Sequence, residues 1–154
     1  EDRGALKCYM ADTGLLVSHA FSENKTALAD IVKGILFGKL EVNKGMIIEN
    51  VVAQLLRAAG QELFFHFNDD RENAANAMEV DFVLTKSKVS AAHNVYPIEV
   101  KSNRQYSITS LERFQSKFRR YVACPVVLHP KDIQVRNGIY YFPLYMAQLM
   151  PEIA

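Results

Sequence analysis

Three carboxylates and a lysine lie where the surrounding sequence is built for burial. Residues 78–84 (Met-Glu-Val-Asp-Phe-Val-Leu) and 96–102 (Tyr-Pro-Ile-Glu-Val-Lys-Ser) read as β-strands, yet they carry Glu79, Asp81, Glu99 and Lys101. Side chains alternate across a strand, so Glu99 and Lys101 are expected on one face and Tyr96, Ile98 and Val100 on the other. The same alternation sets Glu79, Asp81 and Val83 against Val80, Phe82 and Leu84. Paired antiparallel in even register, the strands place Asp81 opposite or diagonal to Glu99. Two like charges at that separation destabilise the pairing unless a cation or a proton intervenes.

Hydrolysis of a phosphodiester is chemistry that uses such a set. It needs a divalent cation to neutralise charge on the phosphate and a group that positions or deprotonates the attacking water. Magnesium (or manganese) prefers carboxylate and carbonyl oxygens and keeps several waters. Asp81, Glu99 and the backbone carbonyl of Val100 would supply ligands. Lys101, on the face of Glu99, would hold the water or the phosphate. A further carboxylate, Glu49, is the expected fourth member of the catalytic and metal-binding set.

The elements that must position these residues follow from periodicity. Residues 45–60 form the strongest helix: Ile47, Ile48, Val51, Val52, Leu55, Leu56, Ala58 and Ala59 make an apolar arc, with Asn50, Gln54 and Arg57 opposite and Glu49 at the rim. Upstream, residues 5–10 read as a short strand, Asp12-Thr13-Gly14 as a turn and residues 26–40 as a helix. Residues 62–67 are a strand and 68–77 a polar loop; 85–94 join the two central strands. Thr109 with Glu112 makes a capping box before a stripe of Leu111, Phe114, Phe118 and Tyr121. Residues 125–129 read as a buried strand, 133–135 and 139–142 as a hairpin around Asn137-Gly138, and 144–150 as a short closing helix.

Basic residues gather after Lys101. Arg104, Arg113, Lys117 and Arg120 are the expected contacts to a nucleic-acid backbone, DNA above all. The default explanation of such a run is a solvated helix face. The whole chain carries a net charge of only +1, so any basic surface is local. Its 154 residues, 49% hydrophobic, suit one domain with a real core. Cys8 and Cys124 are too few for a disulfide framework and read as reduced, buried thiols of a cytoplasmic protein. The most apolar stretch, 31–40, is broken by Lys33 and Lys39, so no membrane span is expected. His19, His66, His93 and His129 lack metal-ligand spacing. Glu1 in place of an initiator methionine suggests a fragment of a longer protein.

In the order Glu49, Asp81, Glu99, Lys101 the chain resembles the PD-(D/E)XK, restriction-endonuclease-like nuclease superfamily, with Val80 where the name-giving proline would stand. A closer resemblance takes in Lys7 to Leu15, Gly45, Glu49-Asn50, residues 79–83 and 97–102, and the last stretch from Gly138 to Leu144. These are similar to the C-terminal domain of unknown function of bacterial and archaeal AAA+ type ATPases. The resemblance covers nearly the whole chain. It implies an α/β fold, a mixed sheet flanked by helices with an α-β-β-β-α-β core, and an N-terminal ATPase module as partner in the full-length protein. It implies a nuclease by motif alone, so a catalytically silent nuclease-fold module that docks DNA or protein for the ATPase is the alternative.

Overall fold

The computed structural model describes residues 6–22, 44–70, 76–85 and 93–153. The helix expected over residues 26–40 lies outside them, as does most of the connection between the two central strands. Helix α1 (Thr13–Ser22) is followed by α2 (Lys44–Ala58), and then by strands β1 (Phe64–Asn68), β2 (Met78–Thr85) and β3 (Val95–Val100). Helix α3 (Thr109–Lys117) precedes β4 (Val126–His129), β5 (Gln134–Arg136) and β6 (Ile139–Pro143). A 3-10 segment (Leu144–Leu149) and the short helix α4 (Met150–Ile153) close the chain.

The six strands form one sheet in the order β1-β2-β3-β4-β6-β5. Pairing is parallel from β3 to β4 and from β4 to β6, and antiparallel elsewhere. The fold is therefore α/β, a mixed sheet flanked by helices, and α2-β1-β2-β3-α3-β4 runs in the expected order. Helix α2 covers one face: Val52, Ala53 and Leu56 pack with Phe82, Leu84, Ile98, Val126 and Leu128. Helix α3 covers the other, where Leu111 and Phe114 meet Met78, Val80, Val127, Ile139 and Tyr141. The hairpin β5–β6 turns at Asn137 and Gly138, both at positive φ (51° and 74°), the pair of angles that a tight two-residue turn demands.

Several local expectations are corrected. Residues 6–10 form no regular element and join no strand of the sheet, so they are not the short strand expected. Asp12-Thr13-Gly14 is not a free turn but the start of α1: Asp12 Oδ1 accepts from the N–H of Leu15, an N-terminal cap. At α3 the capping box does not form. Ser107 Oγ accepts from the N–H of Thr109, and the Ser107 and Thr109 hydroxyls bond each other. Tyr121 leaves the apolar stripe and is exposed, because α3 ends at Lys117 before the period returns it to the core. Cys8 is exposed and Cys124 half-buried, so neither is a core thiol.

Candidate functional site

Strand β2 does not keep one alternation from end to end. From His66 to Phe64 is two residues of β1, but their partners Val80 and Val83 are three apart on β2. The extra residue is a bulge at the position of Asp81. Before it Met78 and Val80 face α3; after it Phe82 and Leu84 face α2, and Val83 joins the α3 side. The expected grouping of Glu79, Asp81 and Val83 on one face is thus corrected.

Beyond the bulge β2 pairs β3 only as far as Phe82 opposite Ile98. The next backbone donor on that edge, the N–H of Val100, is taken instead by the carboxylate of Asp81 at 2.8 Å. Asp81 therefore sits in the gap where the two strands part.

Helix α2 delivers Glu49 to the same place, and the link between them is Lys7. Its ammonium lies 2.9 Å from Glu49, 2.7 Å from Glu79 and 3.1 Å from Asp81. Tyr9 adds its hydroxyl, donating to Glu49 Oε1 at 2.7 Å. Neither Lys7 nor Tyr9 was singled out for chemistry by type or spacing. They lie 42 and 40 residues before Glu49, in a short irregular segment with no periodicity to read, although both fall in the stretch that carries the resemblance.

Glu99 and Lys101 form the second half of the constellation, on one side of β3 as expected, and are joined by an ion pair. Glu99 stands in register with Val127, whose side chain packs on the α3 side, so its carboxylate leaves β3 on the face opposite Ile98 and Val100. It is buried, and its Oε2 has no hydrogen-bond partner.

Electrostatics ties the halves together. Burial, and after it the neighbouring charge of Glu49, holds the Asp81 carboxyl above its ordinary value, against the pull of the Val100 N–H and Lys7. Burial also raises Glu99, and the charge of Asp81 adds to that, while Lys101 opposes it. Lys7 is pulled down by burial, yet Glu79, Asp81 and Glu49 outweigh that and leave it raised.

The four predicted residues thus fall into two pairs, Glu49 with Asp81 through Lys7, and Glu99 with Lys101 on the α3 side, and not into one set on a single face as the strand alternation predicts. Among the described residues no three His, Cys, Asp or Glu side chains are drawn together closely enough to hold a metal ion. Glu49, Glu79 and Asp81 surround Lys7 at ammonium distances, whereas magnesium–oxygen bonds are about 2.1 Å. Two hollows meet here. One of about 820 Å³ is lined by Lys7, Tyr9, Phe64, Phe65 and Asp81, and one of about 200 Å³ by Lys7, Tyr9, Glu49, Asn50 and Glu79.

The basic residues divide. Arg104 lines a cleft of about 470 Å³ with Lys131 and Arg136. Arg113 is drawn inward to donate to the carbonyl of Ala77 at 2.8 Å. Lys117 lies over the ring of Phe118, and Arg120 is exposed just past the end of α3. Arg104 thus groups with Lys131 and Arg136 from the β4–β5 side rather than with α3, a grouping that sequence distance conceals.

Residues 44–147 match the family described as a domain of unknown function (DUF4143). No curated protein and no solved structure matches the chain. Among the described residues no helix is long and apolar enough to cross a membrane.

Proposed function

The chain belongs to that DUF4143 family, and from its site we propose a nuclease-like, metal-dependent phosphodiesterase domain. Magnesium or manganese would be held by Asp81, Glu99, Glu49 and the carbonyl of Val100. The observation that carries this reading is the gap between β2 and β3. There the carboxylate of Asp81 replaces a strand as the partner of the Val100 N–H. The N–H and C=O of one strand residue point to the same edge, so the Val100 carbonyl is directed to the Asp81 side.

The donor set fits a hard divalent cation in kind. All the groups are oxygens, Asp81 and Glu49 of the set already share the Lys7 ammonium, and buried Glu99 is favoured in its charged form by Lys101 and the Leu111 N–H. Bound there, the cation would offset charge on the phosphate and acidify the attacking water. Lys101, ion-paired with Glu99, would orient that water or meet the phosphate. Arg104, with Lys131 and Arg136, offers a surface for the nucleic-acid backbone. The order Glu49, Asp81, Glu99, Lys101 supports assignment to the PD-(D/E)XK type, and the wider resemblance supports an AAA+ type ATPase module as partner.

One observation favours the alternative of a silent module that docks nucleic acid or protein. Lys7 neutralises part of the carboxylate set, and the carboxylates stand wider than metal ligation allows. Cleavage of labelled single- and double-stranded DNA with magnesium or manganese decides between them. Asp81→Ala and Lys101→Ala, folded by circular dichroism, are each expected to lose about a hundredfold or more in rate. Cleavage undiminished in both variants, or absent from the wild type with either metal, overturns the enzyme reading.

A further inference from the structure

Lys7 is the one cation in contact with Glu49, Glu79 and Asp81 among the described residues, and it reaches them from outside the sheet. Its backbone belongs to the irregular segment 6–10, which is held to α2 by side chains rather than by strand pairing. An ammonium at 2.7 to 3.1 Å from three carboxylates satisfies much of their charge with oxygen–cation distances roughly 0.6 to 1 Å longer than magnesium uses. Both cations cannot share Glu49 and Asp81 at once. The same oxygens would have to close inward, and the two positive centres would stand only a few ångströms apart inside a half-buried site.

We propose that Lys7 is an internal counter-cation of the acidic cluster, and that a divalent cation binds only by displacing its ammonium from Asp81 and Glu49. This deepens the metal-site reading and rests on it. The exchange needs no movement of the backbone. A lysine stem has four rotatable bonds, and the side chain also lines the larger hollow of about 820 Å³, where its head can move into solvent. Glu79, the most exposed of the three carboxylates, can follow the ammonium outward. Lys7 thereby sets the affinity of the site: with the ammonium in place the cluster is held together without metal, and metal binding has to overcome that contact. A specificity follows as well. A monovalent cation offers no more charge than the ammonium already supplies, so only a divalent ion gains by the exchange.

The test is calorimetric titration of manganese and magnesium into the wild type and Lys7→Met, with folding of each checked by circular dichroism. Lys7→Met is expected to bind manganese about tenfold or more tightly than the wild type. Equal or weaker binding by the folded variant overturns the role of Lys7 while leaving the metal site standing. Absence of binding in both, with the variant folded, overturns both readings. If Lys7→Met does not fold, acetylation of the wild type by a lysine-reactive anhydride, read residue by residue by mass spectrometry, decides instead. Modification of Lys7 that rises severalfold on adding millimolar magnesium supports displacement; modification unchanged by magnesium overturns it.

Discussion

The side-chain amide of Asn50 pairs with the backbone of Met10 as a neighbouring strand would. Its Oδ1 accepts from the Met10 N–H at 2.8 Å and its Nδ2 donates to the Met10 carbonyl at 3.1 Å, with a further bond to Thr13 Oγ1 at 2.9 Å. The residue is almost wholly buried within α2, one position from Glu49. A segment outside the sheet is thereby fixed beside the carboxylates, and Lys7, three residues earlier, is delivered to them. Gln54, one turn further along α2, repeats the device by bonding the carbonyl of Ala11 and the hydroxyl of Thr13.

Asn50→Ala is expected to cost about 3 kcal/mol, since it removes three hydrogen bonds and leaves two backbone groups of Met10 without their partner. Urea unfolding measures the loss. Because the clamp holds the segment that bears Lys7, amide exchange of residues 7–10 should also quicken. A variant as stable as the wild type, with unchanged exchange, would show that the segment is held by other contacts.

His66 supplies a pH dependence. Burial, and after it the nearby charge of Lys117, holds its imidazole below the ordinary value of 6.5. It packs edge-on against Phe114 and Phe118 at 5.1 and 5.3 Å, and its Nε2 is buried without a partner. As pH falls, the unfolded chain takes up this proton first. The stability that neutral His66 contributes is therefore present above pH 6.5 and lost as pH drops from there through the lower folded value. Asp81 and Glu99 are raised and act in the opposite sense, so the comparison must be between variants. His66→Phe should gain on the wild type as pH falls from 7.5 to 5 in thermal unfolding. Parallel pH curves for the two proteins would refute it.

What could be read from the sequence, and what could not, follows from the range of the interactions concerned. Helix α2 is legible because burial of one face imposes a period, and strand β4 because burial on both faces calls for a short unbroken run of mostly apolar residues. The Asn137-Gly138 turn was legible because few residue pairs accept two successive positive φ angles. The shared side of Glu99 and Lys101 follows from alternation alone. Alternation brings Asp81 next to β3, where it bonds the Val100 N–H, but the bulge that sets its direction and parts it from the α3-side face of Glu99 depends on how β1 pairs with β2, and no local pattern carries that. Asn50 was assigned to the polar side of α2. It is buried because it serves the backbone of a segment forty residues away, a partner invisible to a helical projection. Lys7 escapes for the same reason, since one lysine in a short irregular segment has no local signature of the three carboxylates it meets.

Gly138→Ala tests the turn in isolation. A Cβ at this position would meet nothing within 4 Å, so the cost arises from the backbone alone, at φ 74°. About 1 kcal/mol is expected by urea unfolding. A neutral outcome would mean that the hairpin relaxes to another turn, which the chemical shifts of Asn137 would reveal.

Asp81→Asn should make the protein more stable while removing its proposed function. Burial and the charge of Glu49 penalise the ionised Asp81 in the folded state, beyond what Lys7 and the Val100 N–H return. An amide of the same shape keeps an oxygen for the Val100 N–H and carries no charge. A raised carboxyl value means that the folded wild type holds its proton longer than the unfolded chain does. The penalty is therefore greatest at high pH, where the folded carboxyl is ionised, and fades as pH falls toward the ordinary 3.8. Thermal unfolding should show Asp81→Asn above the wild type at pH 8, with the difference narrowing as pH falls toward 3.8. Lower stability of the variant at pH 8 would mean that the bond to Lys7 outweighs burial and repulsion. The carboxylate would then be a structural ion-pair partner, and not a group held ionised at a cost in stability for the sake of a ligand.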